Sequence, residues 1–418
     1  MRKHFFRYFI CLITICAFVA CSQDEDDGDP FRPNREYQRT VLVYMSGENR
    51  LSTFINDELK EMYEGSKKLN DGQALVVYVD NASTRETPFL ARIANGKLTD
   101  RYDFDADSLS SDPHVMLNVL NYVSHRYPAN EYGLVLWGHG SGWLKEDSIA
   151  YSRRAYGIDN GNNAYTDVGQ WINIPTLAEI LRQWGHPLCF ILNDCCYAQC
   201  IESAYELRDV ADYIIGSPAE IPGIGAPYDQ LTPTLFGTTT NFYEDIVDSY
   251  FHQTISIRVN KTESYQARVA LSVIKTSELL SLANATKQII GNLNMQNSYN
   301  LNGLLYYGKY EYLPEMRMID TFHDINDFFL HKADTEDYKI WKEAFDRAVV
   351  YRVYDKWQTI YLPTSVFEML SEERYGGVSM YVPQQLTNTN FYNVCAEYIK
   401  NYEWYYAAGL SSLDLQKE

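Results

Sequence analysis

Tyr132-Gly133-Leu134-Val135-Leu136-Trp137-Gly138-His139-Gly140-Ser141-Gly142-Trp143 is the stretch that decides the fold. Residues 132–137 show no apolar–polar alternation. A short strand of that kind is buried on both faces, which implies parallel neighbours with helices above and below. Pro187 to Leu192 repeats the pattern and runs into Asn193-Asp194-Cys195-Cys196. Thr40 to Met45, Ala74 to Val79 and Asp212 to Gly216 read the same way. Helical spacing separates them. Residues 51–69 carry Leu51, Phe54, Ile55, Leu59, Met62 and Tyr63 on one face, Asp112-Pro113 opens a helix to Tyr127, and further helices are predicted over 176–184 and 197–207. Phe89 to Ile93 and its neighbour across Asn95-Gly96 read as a hairpin. Strands alternating with helices predict an α/β fold, with a mostly parallel central sheet and helices on both faces. Beyond residue 240 the pattern is less regular. Helices are expected over 242–255, 278–293, 338–349 and 391–405, and strands over 267–274, within 350–362 and over 377–382.

Composition bounds the function. The chain has 418 residues, 46% hydrophobic and 14% aromatic, which is globular rather than disordered or fibrous. A net charge of −19 argues against a nucleic-acid partner, which needs a basic footprint. After the N-terminus no apolar run reaches the roughly 20 residues of a spanning helix.

The N-terminus reads as an export signal. Arg2, Lys3 and Arg7 precede an apolar stretch from Tyr8 to Ala20, too short to span a membrane. It ends Phe18-Val19-Ala20-Cys21, which resembles a bacterial lipobox whose cysteine takes lipid. The acidic run Asp24 to Asp27 resembles a surface-export signal of Bacteroidetes lipoproteins and serves equally as a solvated tether. The expected layout is a signal peptide over 1–20 and a lipidated Cys21 with its tether over 21–36. A catalytic core over 37–255 and a C-terminal extension over 256–418 follow. Loss of residues 1–20, with three positive charges and no negative ones, takes the net charge from −19 to −22.

Of the eight cysteines, Cys11 and Cys16 leave with the signal and Cys21 takes lipid. Cys189, Cys195, Cys196, Cys200 and Cys395 remain, an odd set that is no disulfide framework. A zinc site would need paired spacing and nearby histidines, which this cluster lacks. An unpaired thiol cluster in an exported protein invites a catalytic reading.

Two loops carry that chemistry. His139 follows one buried strand and can move protons near neutrality, and its three flanking glycines allow close approach of a substrate. Cys195-Cys196 follows the other and is expected to open the 197–207 helix, whose free N–H groups would favour a thiolate. Cys189 and Cys200 fit the part of small core hydrophobes. In open α/β sheets ligands bind beyond the carboxyl ends of strands, so a Cys–His dyad on adjacent strand ends is a coherent nucleophile and base.

These residues resemble the clostripain family of cysteine peptidases. The resemblance is carried by Tyr127-Pro128-Ala129, by Tyr132 to Gly140, by Phe190 to Cys196, and by Ala204 to Leu207, Ala211 to Tyr213 and Ser217 to Gly223. It implies a caspase-like three-layer α/β sandwich. It makes His139 the catalytic histidine and Cys196 the nucleophile of the Asp-x-Cys motif, the alternative register being Cys195. It implies an oxyanion hole at the backbone N–H groups of Gly140 and Cys196, and places Asp194 in the primary specificity pocket, where helix N-capping is its competing role. The peptidase that names the family is arginine-specific. Members often carry Pro-Gly-x-Gly-Trp-Asp-Tyr after the fifth strand, whereas here Ala226 and Pro227 replace the Trp-Asp pair. Basic specificity is therefore only slightly favoured, with Glu220 and Asp229 nearby.

Several members are activated by self-cleavage between the two motifs. The polar stretch Lys145 to Trp171 contains Arg153 and Arg154 and suits a processing loop or an ordinary surface loop. The chemistry requires no cofactor, and the resemblance admits calcium. Asp103-Phe104-Asp105-Ala106-Asp107 opens like an EF-hand loop, but its twelfth position is His114, and Asp159 to Asn163 also fails the pattern. The expected partners are a protein or peptide substrate and, through Cys21, a membrane. The competing class is a surface lipoprotein of the same fold that binds peptide or glycan without turnover. A disulfide oxidoreductase lacks its CxxC.

Overall fold

The computed structural model describes residues 36–82, 86–106, 108–144, 156–161, 169–256, 269–293, 301–307, 309–310, 319–320, 322–354, 356–358, 366–368, 371–382 and 395–414. Strand β1 (Tyr37–Gly47) shows why the apolar runs are continuous. Val41, Val43 and Met45 enter one core, while Leu42 and Tyr44 enter another on the opposite face. The same split separates Leu75, Val77 and Val79 from Ala74, Val76 and Tyr78 on β2 (Gln73–Asn81), and Val135 and Trp137 from Leu134 and Leu136 on β5 (Ala129–Trp137). Side chains alternate across a pleated strand, so two buried faces demand two apolar sets.

The remaining strands of the main sheet are β3 (Phe89–Ala94), β4 (Lys97–Asp103), β8 (Leu188–Asp194), β9 (Tyr213–Gly216), β10 (Leu271–Lys275) and Val349–Val353. Its nine strands run in the order Val349–Val353, β10, β9, β8, β5, β1, β2, β3, β4. The run from β9 to β2 is parallel, and antiparallel strands flank it at both ends. Asn95 and Gly96 turn β3 into β4 with φ of 51° and 81°, the two positive values that a two-residue hairpin of this hand needs.

Helices α1 (Ile55–Ser66), α5 (Tyr228–Thr234) and α6 (Phe242–Ser256) cover one face, through Ile55, Leu59 and Met62, Leu231, and Ile246 and Val247. The other face is covered by α2 (Pro113–Arg126), α3 (Ile174–Trp184), α4 (Ile201–Glu206), α7 (Leu279–Asn292), Ile325–Lys332 and Thr335–Ala348. Asp112 starts α2 by accepting from the His114 N–H at 2.7 Å, with Pro113 in the first turn, and Gly185 ends α3 at φ 75°. The caspase-like three-layer sandwich implied by the resemblance is the architecture found.

Four expectations need correction. The helix expected over 197–207 is only Ile201–Glu206, with Cys200 as its N-cap, so Cys196 does not sit at a helix start. The stretch 145–171 is not all loop: β6 (Tyr156–Asp159) and β7 (Gln170–Ile172) form an antiparallel pair whose Tyr156, Ile158, Asp159, Trp171 and Ile172 are buried. In the stretch 377–382, Ser379–Met380 pairs with His323–Asp324 in a separate small sheet. Of the closing helix expected over 391–405, residues 391–394 lie outside the described residues, 395–398 are helical, and the helix then breaks into a tight turn at Ile399–Asn401 and a separate short helix, Glu403–Ala407. Residues 1–35, with the signal, Cys21 and the tether, lie outside the described residues, as do Arg153 and Arg154. Among the described residues no helix is long and apolar enough to cross a membrane.

Candidate active site

β5 and β8 are parallel neighbours in a register that pairs Trp137 with Asp194. The segments that follow, Gly138-His139 and Cys195-Cys196, therefore leave the sheet side by side. The Gly138 N–H donates to the Asp194 carbonyl at 3.4 Å. The glycines of the histidine loop are needed for contact with the cysteine loop. A Cβ on Gly140 would lie 2.5 Å from the Cys196 carbonyl oxygen, and one on Gly142, at φ 62°, would lie 2.6 Å from that of Tyr197. His139, Cys196 and Asp194 line one cavity of about 100 Å³, together with Trp137, Glu220 and Ile221.

The β6 strand splints the histidine loop. The Gly157 N–H donates to the His139 carbonyl at 2.9 Å, and Gly140 bridges Tyr156. The buried Tyr156 hydroxyl donates to the Tyr44 carbonyl at 2.8 Å and the Trp137 carbonyl at 3.2 Å, tying β1 to β5 at their ends. The sequence suggested a processing loop or an ordinary surface loop for this segment. Its signal was the Tyr-x-Ile pattern at 156–158 followed by Trp171-Ile172.

The thiols differ sharply. Cys195 is 2% exposed, and burial first, then the nearby Cys196 and Asp194, pushes its thiol well above its ordinary value. Burial likewise pushes Cys189 and Cys200 up to about 12 and raises Cys395. Cys195, Cys200 and Cys395 are core side chains, and Cys189 is partly buried against the second core, its thiol donating to the Tyr132 carbonyl at 3.0 Å. Cys196 is half-buried, faces the cavity, and holds its Sγ 3.4 Å from the Ile221 N–H.

Its position is fixed by backbone geometry rather than by a helix. Tyr197 adopts φ 56°, a left-handed conformation that costs a non-glycine residue free energy and persists only when its surroundings impose it. The segment after β9 imposes it: Tyr197 donates to the Ala219 carbonyl at 2.9 Å and Gln199 to that of Ser217 at 3.0 Å. The Tyr197 ring also stacks on Phe322, with centroids 4.8 Å apart.

Asp194 is 2% exposed and caps no helix, since α4 begins only at Ile201. Its Oδ1 accepts from the Tyr250 hydroxyl at 2.6 Å, and its Oδ2 from the Ala226 N–H at 3.0 Å and the Tyr228 hydroxyl at 2.9 Å. Burial raises its carboxyl above the ordinary value, and these three donors oppose the rise. At the two positions that depart from the family pattern, the Ala226 N–H donates to Asp194 and Pro227 is the N-cap of α5.

Sequence reasoning missed two further acids. A Cβ on Gly225, at φ 65°, would lie 2.8 Å from Glu58 Oε1, 3.0 Å from Trp137 Nε1 and 3.1 Å from Asp194 Oδ2. Glu58 and Asp194 therefore converge at Gly225 on the cavity lining. Burial, then Asp194 and Glu61, push the Glu58 carboxyl up to about 11, against a hydrogen bond from Trp137. Burial raises Glu61 to about 7, opposed by the Tyr228 N–H at 3.0 Å. The available signal was position: Glu58 lies on the stripe of Ile55, Leu59 and Met62, where an acid has no business unless it is used. Of the acids noted near this segment, Glu220 lines the cavity. Asp103 lies on an exposed strand and accepts from Arg101 Nε at 2.8 Å.

The chain resembles known proteins over most of its length. A profile of the Clostripain family matches residues 43–413. The chain is similar to a secreted C11 cysteine protease from Bacteroides thetaiotaomicron, solved with an irreversible peptide inhibitor. The two are 32% identical, with a TM-score of 0.73 over 90% of this chain and 99% of that one. An inactive zymogen C11 protease from Parabacteroides distasonis is 27% identical, with a TM-score of 0.72 over the same shares. Clostripain of Hathewaya histolytica is 24% identical over 240 residues, 51% of this chain and 45% of that relative, so the chain matches under half the length of that curated protein. Over nearly its whole described length, the chain belongs to the clostripain family of cysteine peptidases.

Proposed function

We propose that the chain is an exported, lipid-anchored cysteine endopeptidase. The carrying observation is that His139 and the half-buried Cys196 face one cavity at adjacent parallel strand ends, while Cys195 is sealed in the core. In this reading His139 takes the proton from Cys196 Sγ, and the thiolate attacks the scissile carbonyl. The N–H groups of Gly140 and Cys196 hold the resulting oxyanion. The tetrahedral intermediate expels the amine, which takes the proton from His139, and leaves a thioester on Cys196. A water that gives its proton to His139 then hydrolyses the thioester.

Asp194 at the cavity supports a preference for Arg or Lys before the scissile bond, because a bound cation offsets the cost of burying its carboxylate, while burial beside Asp194 keeps Glu58 protonated and without charge. Self-cleavage near Arg153 or Arg154 belongs to the same reading, supported by a relative described as an inactive zymogen. Lipid on Cys21 would tether the enzyme to the outer membrane, facing outward.

The test is cleavage of a fluorogenic peptide library by residues 22–418 under reducing conditions, beside Cys196→Ala and Cys195→Ala. Loss with Cys196→Ala and retention with Cys195→Ala supports the reading. Retention with Cys196→Ala refutes it. A silent wild type, still silent after nicking by a trace of trypsin, leaves the binding lipoprotein.

A further inference from the structure

The histidine loop and the cysteine loop share a third neighbour, which comes from the C-terminal extension. Phe322 is wholly buried, and its ring stacks on that of Tyr197 with centroids 4.8 Å apart and an interplanar angle of 13°. Tyr197 is the residue next to Cys196 and carries the left-handed bend, φ 56°. The same phenyl ring reaches the loop that carries His139. A Cβ on Gly142 would lie 2.8 Å from Phe322 Cε1, so not even a methyl group fits between them, and the Trp143 ring stands 6.2 Å away, centroid to centroid. One side chain thus touches both loops of the candidate active site.

The backbone that presents this ring is pinned. The Tyr307 N–H donates to the Phe322 carbonyl at 2.9 Å, and the Asp324 N–H to that of Leu305 at 2.9 Å. His323–Asp324 pairs with Ser379–Met380. The buried Asp324 carboxylate accepts from the Gly376 N–H at 2.8 Å, from the Gly377 N–H at 3.1 Å and from the Tyr307 hydroxyl. The Ser379 N–H donates in turn to the Gln199 carbonyl at 3.0 Å, so the same small sheet also grips the segment that follows Tyr197. Close-packed interiors transmit strain rather than absorb it, and a left-handed tyrosine persists only while its surroundings impose it.

We propose that Phe322 is a positioning residue, whose ring sets the separation and orientation of the histidine and cysteine loops and so the approach of His139 to Cys196. Without the ring, Tyr197 loses a support of its bend and Gly142 faces a void, so both loops are free to shift. A shift of about 1 Å at a reacting centre costs about a hundredfold in rate. Asp194 in the pocket is held by Tyr228, Tyr250 and the Ala226 N–H instead, so turnover should suffer more than substrate binding. The effect on turnover rests on the peptidase reading, whereas the effect on the Cys196 thiol is read without turnover.

The test compares Phe322→Leu and Phe322→Ala with the wild type, all as the mature chain. Leucine keeps much of the buried volume and removes the flat ring, so Phe322→Leu decides if Phe322→Ala does not fold. Phe345→Leu is the control for ordinary core damage, since Phe345 is wholly buried on Thr335–Ala348 with its ring 4.9 Å from that of Trp341. The readouts are kcat and KM on the best library peptide per folded molecule, and the rate of iodoacetamide alkylation at Cys196 across the neutral pH range, with the labelled site mapped by mass spectrometry. In Phe322→Leu, kcat should fall by about tenfold to a hundredfold with KM little changed, and the pH profile of alkylation should shift. Phe345→Leu should keep both at wild-type values. The role is overturned if Phe322→Leu keeps the wild-type alkylation profile, if its loss is confined to KM, or if Phe345→Leu loses as much. A wild type that cleaves no peptide even after nicking by a trace of trypsin ends the peptidase reading, and the alkylation profile alone then decides on Phe322.

Discussion

Gly140→Ala tests whether the contact between the two loops, rather than the mere presence of His139 and Cys196, makes the site. The new Cβ would stand 2.5 Å from the Cys196 carbonyl oxygen and 3.0 Å from both Cβ and Sγ of Cys195. Carbon contacts relax near 3.5 Å, so one loop must retreat by roughly 1 Å. The obstruction is backbone and a buried side chain, neither of which can swing aside. The substitution keeps the Gly140 N–H, so it alters spacing and leaves the donor in place. A displacement of about 1 Å at a reacting centre costs about a hundredfold in rate, and overpacking costs about 1–3 kcal/mol of stability. The assay is kcat/KM on the best library peptide, with the alkylation rate of Cys196 and a thermal melt beside it. Gly291→Ala on α7, where a Cβ meets nothing within 4 Å, is the control. Wild-type kcat/KM in Gly140→Ala would refute the reasoning, as would a loss no larger than the unfolded fraction explains.

Asp194→Asn removes the charge at the cavity and places an amide where three donors point, so it should flatten any preference for Arg or Lys and cost about 1–3 kcal/mol of stability; library profiling and denaturant melts check both. Glu202 supplies a pH prediction. Burial pushes its carboxyl from an ordinary 4.5 up to about 8, opposed by the Tyr381 N–H at 2.7 Å. The folded state holds that proton more tightly than the unfolded chain, so this group's contribution is intact below pH 4.5 and is lost as pH rises to about 8, at about 1.4 kcal/mol per pH unit. Glu202→Gln should reduce that slope between pH 5 and 8, measured by denaturant titration, and an unchanged slope would contradict the assigned burial.

What the sequence made legible was whatever depends on period and order. Unbroken apolar runs implied buried parallel strands, and the two-core split of Val41, Leu42, Val43 and Tyr44 is their physical content. Placing His139 and Cys196 on neighbouring strand ends needed only strand identity and motif order. The helix start was misplaced because distant residues set the local backbone. Tyr197 is held left-handed by Ala219, and Cys200 is extended at φ −110°, so residues 195–200 cannot be helical whatever their propensity. β6 and β7 escaped notice because four and three residues are too short to show alternation within a polar stretch.

The competing identities of the nucleophile show where pattern stops and packing begins. Cys195 and Cys196 are neighbours with identical side chains, and spacing alone left both registers open. The strand gives the two different surroundings by direction, which is what favours the proposed Cys196. Residue 195 continues the side that Ile191 takes into the α2–α3–α4 core, and it ends 2% exposed there. Residue 196 turns toward the cavity, and the left-handed bend at Tyr197 stops the chain from carrying it back into the core. The bend in turn depends on the Ser217–Ile221 segment, whose Ile221 N–H meets the same sulfur. The wall of the cavity and the orientation of Cys196, the proposed nucleophile, are therefore one feature. A substitution that frees residues 217–221 should disturb thiol reactivity and peptide selection together, even where it touches neither His139 nor Asp194.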